Sequence, residues 1–577
     1  MPEPRARNPS RHNDDAAPGR NRFGTFGGVF TPAILTILGV IMFMRANFVV
    51  GQAGIMGAVF ILVIAKSITL TTSFSISAIS TNIRVRGGGS YFLISRVLGL
   101  EFGGAIGIAL FLALALSVPF YILGFAEALV RSFPGLAPWF LAITLTTALA
   151  LFTIGYIGAG WAIRTQYMIM AFLFAAIAAF LGGALRDFSA ERFLANLGPA
   201  YTAVEAGGGE MYAFWSIFAI YFPAVTGIDA GVNMSGDLRD PGRSIPRGTF
   251  AAVGVGFTVY LVQILLAGGA WERGQLVGLP FDLLKDKALF GWSILVVLGV
   301  VAATLSSALG SYLGAPRVLQ AVSRDRILSV LAFFGKGSAG GDEPRRALLF
   351  TLAITVAVLL WAGNEAGGEA LNAVAAIITM FFLYSYGMIN LAAFMEDFSD
   401  TPAFRPRFRY FHWGVALAGA AGCAVTAFLV NWRAAAVAIL IIAAFLSHIK
   451  RTRLKSQFGD ARWGFIYQRV KRNLLRLGSM ADDPRNWRPT VLVFSGNPAD
   501  REILVHYSEW IAARRGLVYL ACCGGGDWVA GAPRPHGALL QLNRFCADHE
   551  LQALPAVMVA DDVEGGVEAL LQAVSIG

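Results

Sequence analysis

Two short runs decide how this chain is built: Thr36-Ile37-Leu38-Gly39-Val40, preceded by Pro32, and Pro223-Ala224-Val225-Thr226-Gly227-Ile228-Asp229-Ala230-Gly231. Each puts proline or glycine inside a stretch otherwise apolar enough to cross a bilayer. A helix interrupted there frees N–H and C=O groups that hydrocarbon cannot satisfy, so the break persists only where it lines a cavity. Freed amides attract an anion, and freed carbonyls attract a dehydrated cation. A single break would read as a packing glycine, which membrane helices use often. Two, in the first and sixth spans, read as an inverted five-plus-five repeat around a shared mid-membrane site.

Outward from these runs, apolar stretches of about 20 residues recur, each sufficient for a ~30 Å hydrocarbon core. They lie near 27–52, 54–82, 101–131, 138–157, 160–185, 211–236, 249–271, 291–314, 346–363, 367–396, 411–431 and 432–449. The pattern predicts an α-helical membrane protein of twelve transmembrane helices, with helices 1 and 6 discontinuous. Composition agrees: 56% of residues are hydrophobic and 14% charged, against about 25% charged in a soluble chain. With the N-terminus inside, the inner connections collect basic residues such as Arg84, Arg86, Arg243, Arg247, Arg324 and Arg407. The outer ones hold few, such as Arg131, Arg186 and Arg433. Positive residues stay on the cytoplasmic side, so both termini are expected inside, in the inner (plasma) membrane.

The net charge of +10 is then the bias of inner loops and calls for no nucleic acid. Cys423 falls in a span, while Cys522, Cys523 and Cys546 fall in the expected cytoplasmic part and should be reduced. No CxxC pairs with another, and the six histidines avoid the middles of the spans. Neither a metal site nor an enzyme's nucleophile–base pair is therefore expected, nor any cofactor. Rings of charges or carbonyls that would mark a channel are not seen either. Residues 1–22 are polar and basic without an apolar core, and read as a disordered cytoplasmic tail rather than a signal peptide.

Composition changes after Ile449, where Lys450-Arg451-Thr452-Arg453-Leu454-Lys455 forms a basic stop. From 450 to 577 a cytoplasmic α/β domain is expected, following a transporter domain over 23–449. Its strands are read at Thr490–Phe494, Leu517–Cys522 and Ala556–Val559, with helices through 499–513, near 536–549 and from 563. That alternation argues a parallel, doubly wound sheet. Gly524-Gly525-Gly526-Asp527 lacks both nucleotide-binding glycine spacings and reads as a loop. The sheet looks incomplete at Gly577, so the natural protein is expected to continue.

Several motifs in order resemble the cation-chloride cotransporters, within the amino acid–polyamine–organocation superfamily. They are Gly39-Val40-Ile41-Met42-Phe43-Met44-Arg45, Val50-Gly51-Gln52-Ala53-Gly54, Ser77-Ala78-Ile79-Ser80-Thr81-Asn82 and Val85-Arg86-Gly87-Gly88-Gly89-Ser90-Tyr91. Further on come Glu101-Phe102-Gly103-Gly104-Ala105-Ile106-Gly107, Gly124-Phe125-Ala126-Glu127, Phe222–Gly227, Ser235-Gly236-Asp237-Leu238 and Asp562–Gln572. The resemblance implies a symporter of a monovalent cation, potassium or sodium, with or without chloride, working by alternating access. It implies a cation site at Thr36, Ile37, Tyr121, Pro223 and Thr226. It implies a sodium site at Leu35, Leu38, Ala303, Ser306 and Ser307. Anion sites would fall at Gly39, Val40 and Ile41, and at Gly227, Ile228, Asp229 and Tyr386. Arg45 and Glu127 would close the outer vestibule, and the C-terminal domain would pair two protomers into a homodimer.

Other readings stay open. Tyr121 and Tyr386 also fit as core tyrosines, and Ser306 and Ser307 as packing residues bonded to their own helix. Thr36 replaces a family asparagine, and Leu38 a tryptophan of sodium-coupled members. Asp229 stands where the family has an apolar residue. Its carboxylate could take the place of the second chloride, carry a proton, or be the counter-ion of an amine. The last two roles belong to the alternative, a sodium- or proton-coupled importer of a small amine or amino acid.

Overall fold

The computed structural model describes residues 23–82, 89–157, 162–204, 211–233, 238–325, 329–338, 342–363, 368–398, 404–451, 461–479, 487–513, 515–525 and 533–573. The expected tail over 1–22, Arg84, Arg86, Ser235-Gly236-Asp237, Gly526-Asp527 and the basic residues from Thr452 to Lys455 lie outside the described residues. Two compact units make up the chain, Met1–Phe465 and Ile466–Gly577.

In the first unit, the leading span opens with a π turn at Phe26–Phe30 and continues as α1 (Thr31–Ile37) and α2 (Val40–Met44). It ends inside α3 (Ala46–Asn82), where Gly54 at φ 69° turns the chain into the second span. Only glycine adopts that backbone freely, and a β-carbon there would also collide with the Gly198 carbonyl. Then follow α4 (Gly89–Ser132), α5 (Phe140–Ile157), α6 (Ala162–Arg186) and the short α7 (Ala190–Ala195). The next span is broken, into α8 (Phe214–Tyr221), a 3₁₀ turn at Phe222–Val225 and α9 (Asp229–Asn233). Asp240 caps α10 (Pro241–Ala270), accepting from the Arg243 N–H at 3.2 Å, with proline at the first helical position. After α11 (Arg273–Gly278) and α12 (Pro280–Asp286) come α13 (Ser293–Arg324), α14 (Arg345–Ala362), α15 (Glu369–Phe398) and α16 (Trp413–Arg451).

Among the described residues, ten helical stretches are long and apolar enough to cross a membrane, and Phe214–Val225 is a shorter apolar helix. The long α16 is itself interrupted at Asn431, whose backbone is extended (φ −156°, ψ 94°). The Asn431 side chain accepts from the Ala434 N–H at 3.0 Å, as a helix cap does, so the chain stops and restarts there. Helix α3 packs chiefly on α10, and α4 on α13, so that α1, α2 and α9 lie inside a helical shell.

In the second unit, β1 (Thr490–Phe494), β2 (Leu517–Gly525) and β3 (Ala553–Ala560) form a parallel sheet in the order β1-β2-β3. Thr490 pairs with Leu517, and Val518 with Ala553. Helix α17 (Ala461–Leu477) precedes the sheet, and α18 (Glu502–Ala512), α19 (Pro533–Asp548) and α20 (Val563–Ala573) alternate with its strands. Val493, Val505, Leu520, Leu542 and Phe545 make its core. One expectation is corrected: Gly524 and Gly525 are strand rather than loop, pairing with Val559 and Ala560. A parallel ladder bonds through the backbone, so the missing side chains did not end the strand.

Candidate functional site

The breaks build the site. In the first span, Leu38 (φ −89°, ψ 38°) and Gly39 (φ −90°, ψ −139°) leave the helix, and α2 restarts at Val40. A β-carbon at Gly39 would stand 2.9 Å from the Thr36 carbonyl oxygen. In the sixth, Thr226 is extended and Gly227 takes φ 102° before α9 begins at Asp229. A β-carbon at Gly227 would lie 2.6 Å from Thr36 Cγ2 and 3.6 Å from the Ile37 nitrogen. The two breaks therefore touch, with no room for a side chain between them.

Of the expected cation ligands, Thr36, Ile37, Pro223 and Thr226 lie at these breaks. The Thr36 hydroxyl donates to the Pro32 carbonyl and the Thr226 hydroxyl to the Pro223 carbonyl, each at 2.9 Å. Their protons are thereby spent within their own segments, and the oxygens keep lone pairs for a cation. Tyr121 of α4 is buried and within electrostatic reach of Tyr260 and Tyr386. Sequence reasoning missed Tyr260 of α10, whose hydroxyl donates to the Ile37 carbonyl at 2.8 Å. One lone pair of that carbonyl is thus taken. Gln263 was missed as well: its side-chain N–H donates to the Met42 carbonyl at 2.9 Å.

Of the expected anion ligands, Gly39, Val40 and Ile41 open α2, and Gly227, Ile228 and Asp229 open α9, where backbone N–H groups lack helical partners. Tyr386 of α15 is fully buried and lies beside the Asp229 carboxyl and the Gly227 backbone. Asp229 is itself only 2% exposed. Of the expected sodium ligands, Ser307 of α13 donates to the Leu35 carbonyl at 3.3 Å, and Ala303 and Leu38 are buried nearby in the same core. Ser306 is partly exposed and shares no described bond with Leu35.

Arg45 and Glu127 come together as a fork: Nη2 to Oε2 at 2.9 Å and Nη1 to Oε1 at 3.1 Å. Both are buried, at 3% and 1% exposure. The arginine also donates to Asn372 Oδ1 at 2.6 Å and to the Gly368 carbonyl at 3.0 Å. Arg131 reaches Glu127 at 3.2 Å and Asp282 at 3.3 Å, with Lys285 against Asp282 at 3.4 Å. Each of these charged groups is thus met by an opposite charge or a hydrogen bond, as buried charges ordinarily are. The sequence offered the pair, but Asn372, Arg131 and Asp282 carry no local signal of their part in it.

One more group was passed over although the sequence displays it. Lys66 is the single charged residue of α3, at the middle of the second span, and is 5% exposed.

The amino acid permease family model matches residues 28–493. A broken-helix membrane architecture of this kind defines the class, and the chain belongs to the amino acid permease family. Within that family its resemblance to the cation-chloride cotransporters extends over nearly the whole chain. It is 32% identical to Solute carrier family 12 member 2 of Danio rerio over 615 residues, which cover 96% of this chain and 53% of the relative. It is 31% identical to Solute carrier family 12 member 1 of Homo sapiens, over 98% of this chain and 55% of the relative. The chain thus spans about half the length of the curated relatives it matches. By family and by its apolar helices it is a multi-pass membrane protein of the transporter kind and not an enzyme.

Proposed function

We propose that the chain is a secondary active symporter that moves a monovalent cation, potassium or sodium, with or without chloride, by alternating access. The observation that carries this reading is the contact of the two breaks, Gly227 against Thr36 and Ile37. It gathers carbonyl and hydroxyl oxygens in one enclosed place, the ligand set that suits a weakly hydrated cation. The amides opening α2 would take a chloride beside it. The Arg45–Glu127 fork would be the outer gate, opening as the cation enters. Twelve spans in a five-plus-five inverted repeat, both termini cytoplasmic, and a homodimer paired through the C-terminal domain complete the proposal.

Purified protein in liposomes should accumulate rubidium-86, a potassium probe, under an imposed chloride or sodium gradient, with saturation. Uptake that never saturates, or that ignores every gradient, would overturn the reading.

A second reading rests on Asp229. A carboxylate beside Tyr386 at the start of α9 is what a small amine would need as counter-ion. Uptake of labelled amines or amino acids without rubidium uptake would favour it.

A further inference from the structure

Transport of either kind leaves Lys66 unexplained. From Ile55, where the second span starts, Lys66 lies 11 residues in, and from Asn82 it lies 16. At 1.5 Å per residue it is about 16 Å from the nearer end, too deep for a lysine stem to reach the headgroups. Its Nζ is buried and has no hydrogen-bond partner among the described residues. A lysine at such depth is ordinarily paired or functional.

The side chain enters the seam between α3 and α10. A β-carbon at Gly256 would stand 3.1 Å from Lys66 Nζ and 2.6 Å from Ile37 Cγ2, so any larger residue there would strike both the amine and α1. On α10, Thr249, Gly256, Tyr260 and Gln263 are spaced seven, four and three apart, which places them on one face. Thr249, Tyr260 and Gln263 thus set three polar side chains over about 21 Å of that face, with Gly256 between them. Thr249 Oγ1 and Gln263 Oε1, on either side of Gly256, are buried and without partners among the described residues. On α3, Ser77 shares the face of Lys66 three turns on, and its Oγ is in the same condition. Unpartnered polar atoms thus stand on α10 on both sides of Gly256 and on α3 at Ser77.

We infer that Lys66 is a proton-carrying site of the transport cycle, loaded and unloaded along the α3–α10 seam. The amine lone pair takes a proton from hydronium on one side, one O–H bond breaking as the N–H bond of the ammonium forms and water being left, and the ammonium returns it to water on the other, regenerating hydronium. A proton is the ligand that fits, because the lone pair of the amine holds it without the help of a second protein group. Among the described residues no carboxylate bonds to the amine either. Tyr260 faces the seam from α10 with its hydroxyl held by Ile37, and Tyr221 of α8 stacks on it at 5.6 Å. Tyr121 of α4 and Tyr386 of α15, the latter beside Asp229, lie around the breaks. Cys423 is the ionisable group inside α16 before Arg433. Arg45, Glu127, Arg273, Asp282, Lys285 and Asp286 belong to the outer ends of α2, α4, α11 and α12.

This inference rests on the transport reading, and its test separates the two. The full chain is reconstituted with a trapped pH indicator and supplied with rubidium chloride, then separately with alanine and ethylamine. The parent should move protons with whichever solute it carries, and its initial rate should shift on the order of fivefold or more across an imposed pH gradient. Lys66→Met should keep monodisperse behaviour in detergent, abolish the indicator response and flatten the pH profile. Lys66→Gln carries the same comparison if the methionine variant does not survive purification. Rubidium uptake by the parent without any indicator response overturns the inference and leaves the cation reading standing. An indicator response with amines and no rubidium uptake does the reverse. Proton movement undiminished in a folded Lys66 variant also overturns it.

Discussion

Asp229 and Arg45 show how differently two buried charges can be held. Arg45 is surrounded by acceptors from three helices, so removing Glu127 would leave an enclosed cation with one carboxylate fewer. Loss of one partner of such a pair costs about 3–5 kcal/mol. Glu127→Gln should therefore lower both thermal stability in detergent and transport. Reversing both charges, Arg45→Glu with Glu127→Arg, should recover more rubidium uptake than either reversal alone. Recovery will be incomplete, because the new arginine would meet Arg131. Asp229 faces a tyrosine hydroxyl and backbone at the opening of α9, which favour one negative charge there. Charge-assisted bonds of this sort contribute about 1.5–3 kcal/mol each. Asp229→Asn removes the charge at nearly constant size, so a mobile chloride should be needed in its place. Rubidium uptake by the variant should be weak without chloride and recover as chloride is added, while the parent responds less. A variant dead at every chloride concentration, with lost amine uptake, would identify the carboxylate as an amine counter-ion instead.

At the scale of elements, the breaks were legible because glycine and proline interrupt two spans five helices apart, and they fall at Gly39 and Gly227 as read. The strands of the second unit were legible as short apolar runs between turn residues, though β2 and β3 extend past the runs that announced them. The boundary read between the stretches 411–431 and 432–449 falls at the interruption of α16 at Asn431. What remained hidden were long-range partners: nothing near Tyr260 in the sequence says that its hydroxyl holds a carbonyl 223 residues away. Lys66 was visible but has no motif around it to give it meaning. Because Gly227 has positive φ and packs on Thr36, Gly227→Ala should strain the backbone, by about 1–3 kcal/mol, and push the breaks apart. The expected result is loss of rubidium uptake with a modest fall in melting temperature; unchanged uptake would mean that the site does not depend on that contact. For α13, Ser307 already touches the Leu35 carbonyl whereas Ser306 does not. Ser307→Ala should accordingly reduce any sodium stimulation of transport more than Ser306→Ala does. Equal effects, or a parent indifferent to sodium, would mark the serines as packing residues.

For the whole molecule, the division into two units raises the question of what the second contributes. Its core is small, drawn from three parallel strands and the helices beside them. Large apolar side chains remain exposed on it, among them Ile503 at 73%, Trp510 at 70% and Ile511 at 67%. All three are on α18, where 503, 507, 510 and 511 share one face, and Tyr507 meets Trp510 edge-on at 5.2 Å. Exposed apolar groups gathered on one face mark a surface that is covered in the working protein. The resemblance to cation-chloride cotransporters makes a second copy of the chain the expected cover. Truncation after Ile449 should therefore shift the detergent-solubilised protein from dimer to monomer by light scattering, while leaving the helical unit soluble. The milder pair Ile503→Ser with Trp510→Ser should weaken the dimer in the full chain without unfolding the sheet, since neither side chain enters its core. A dimer that survives both changes would place the contact among the membrane helices, and α18 would then meet some other partner.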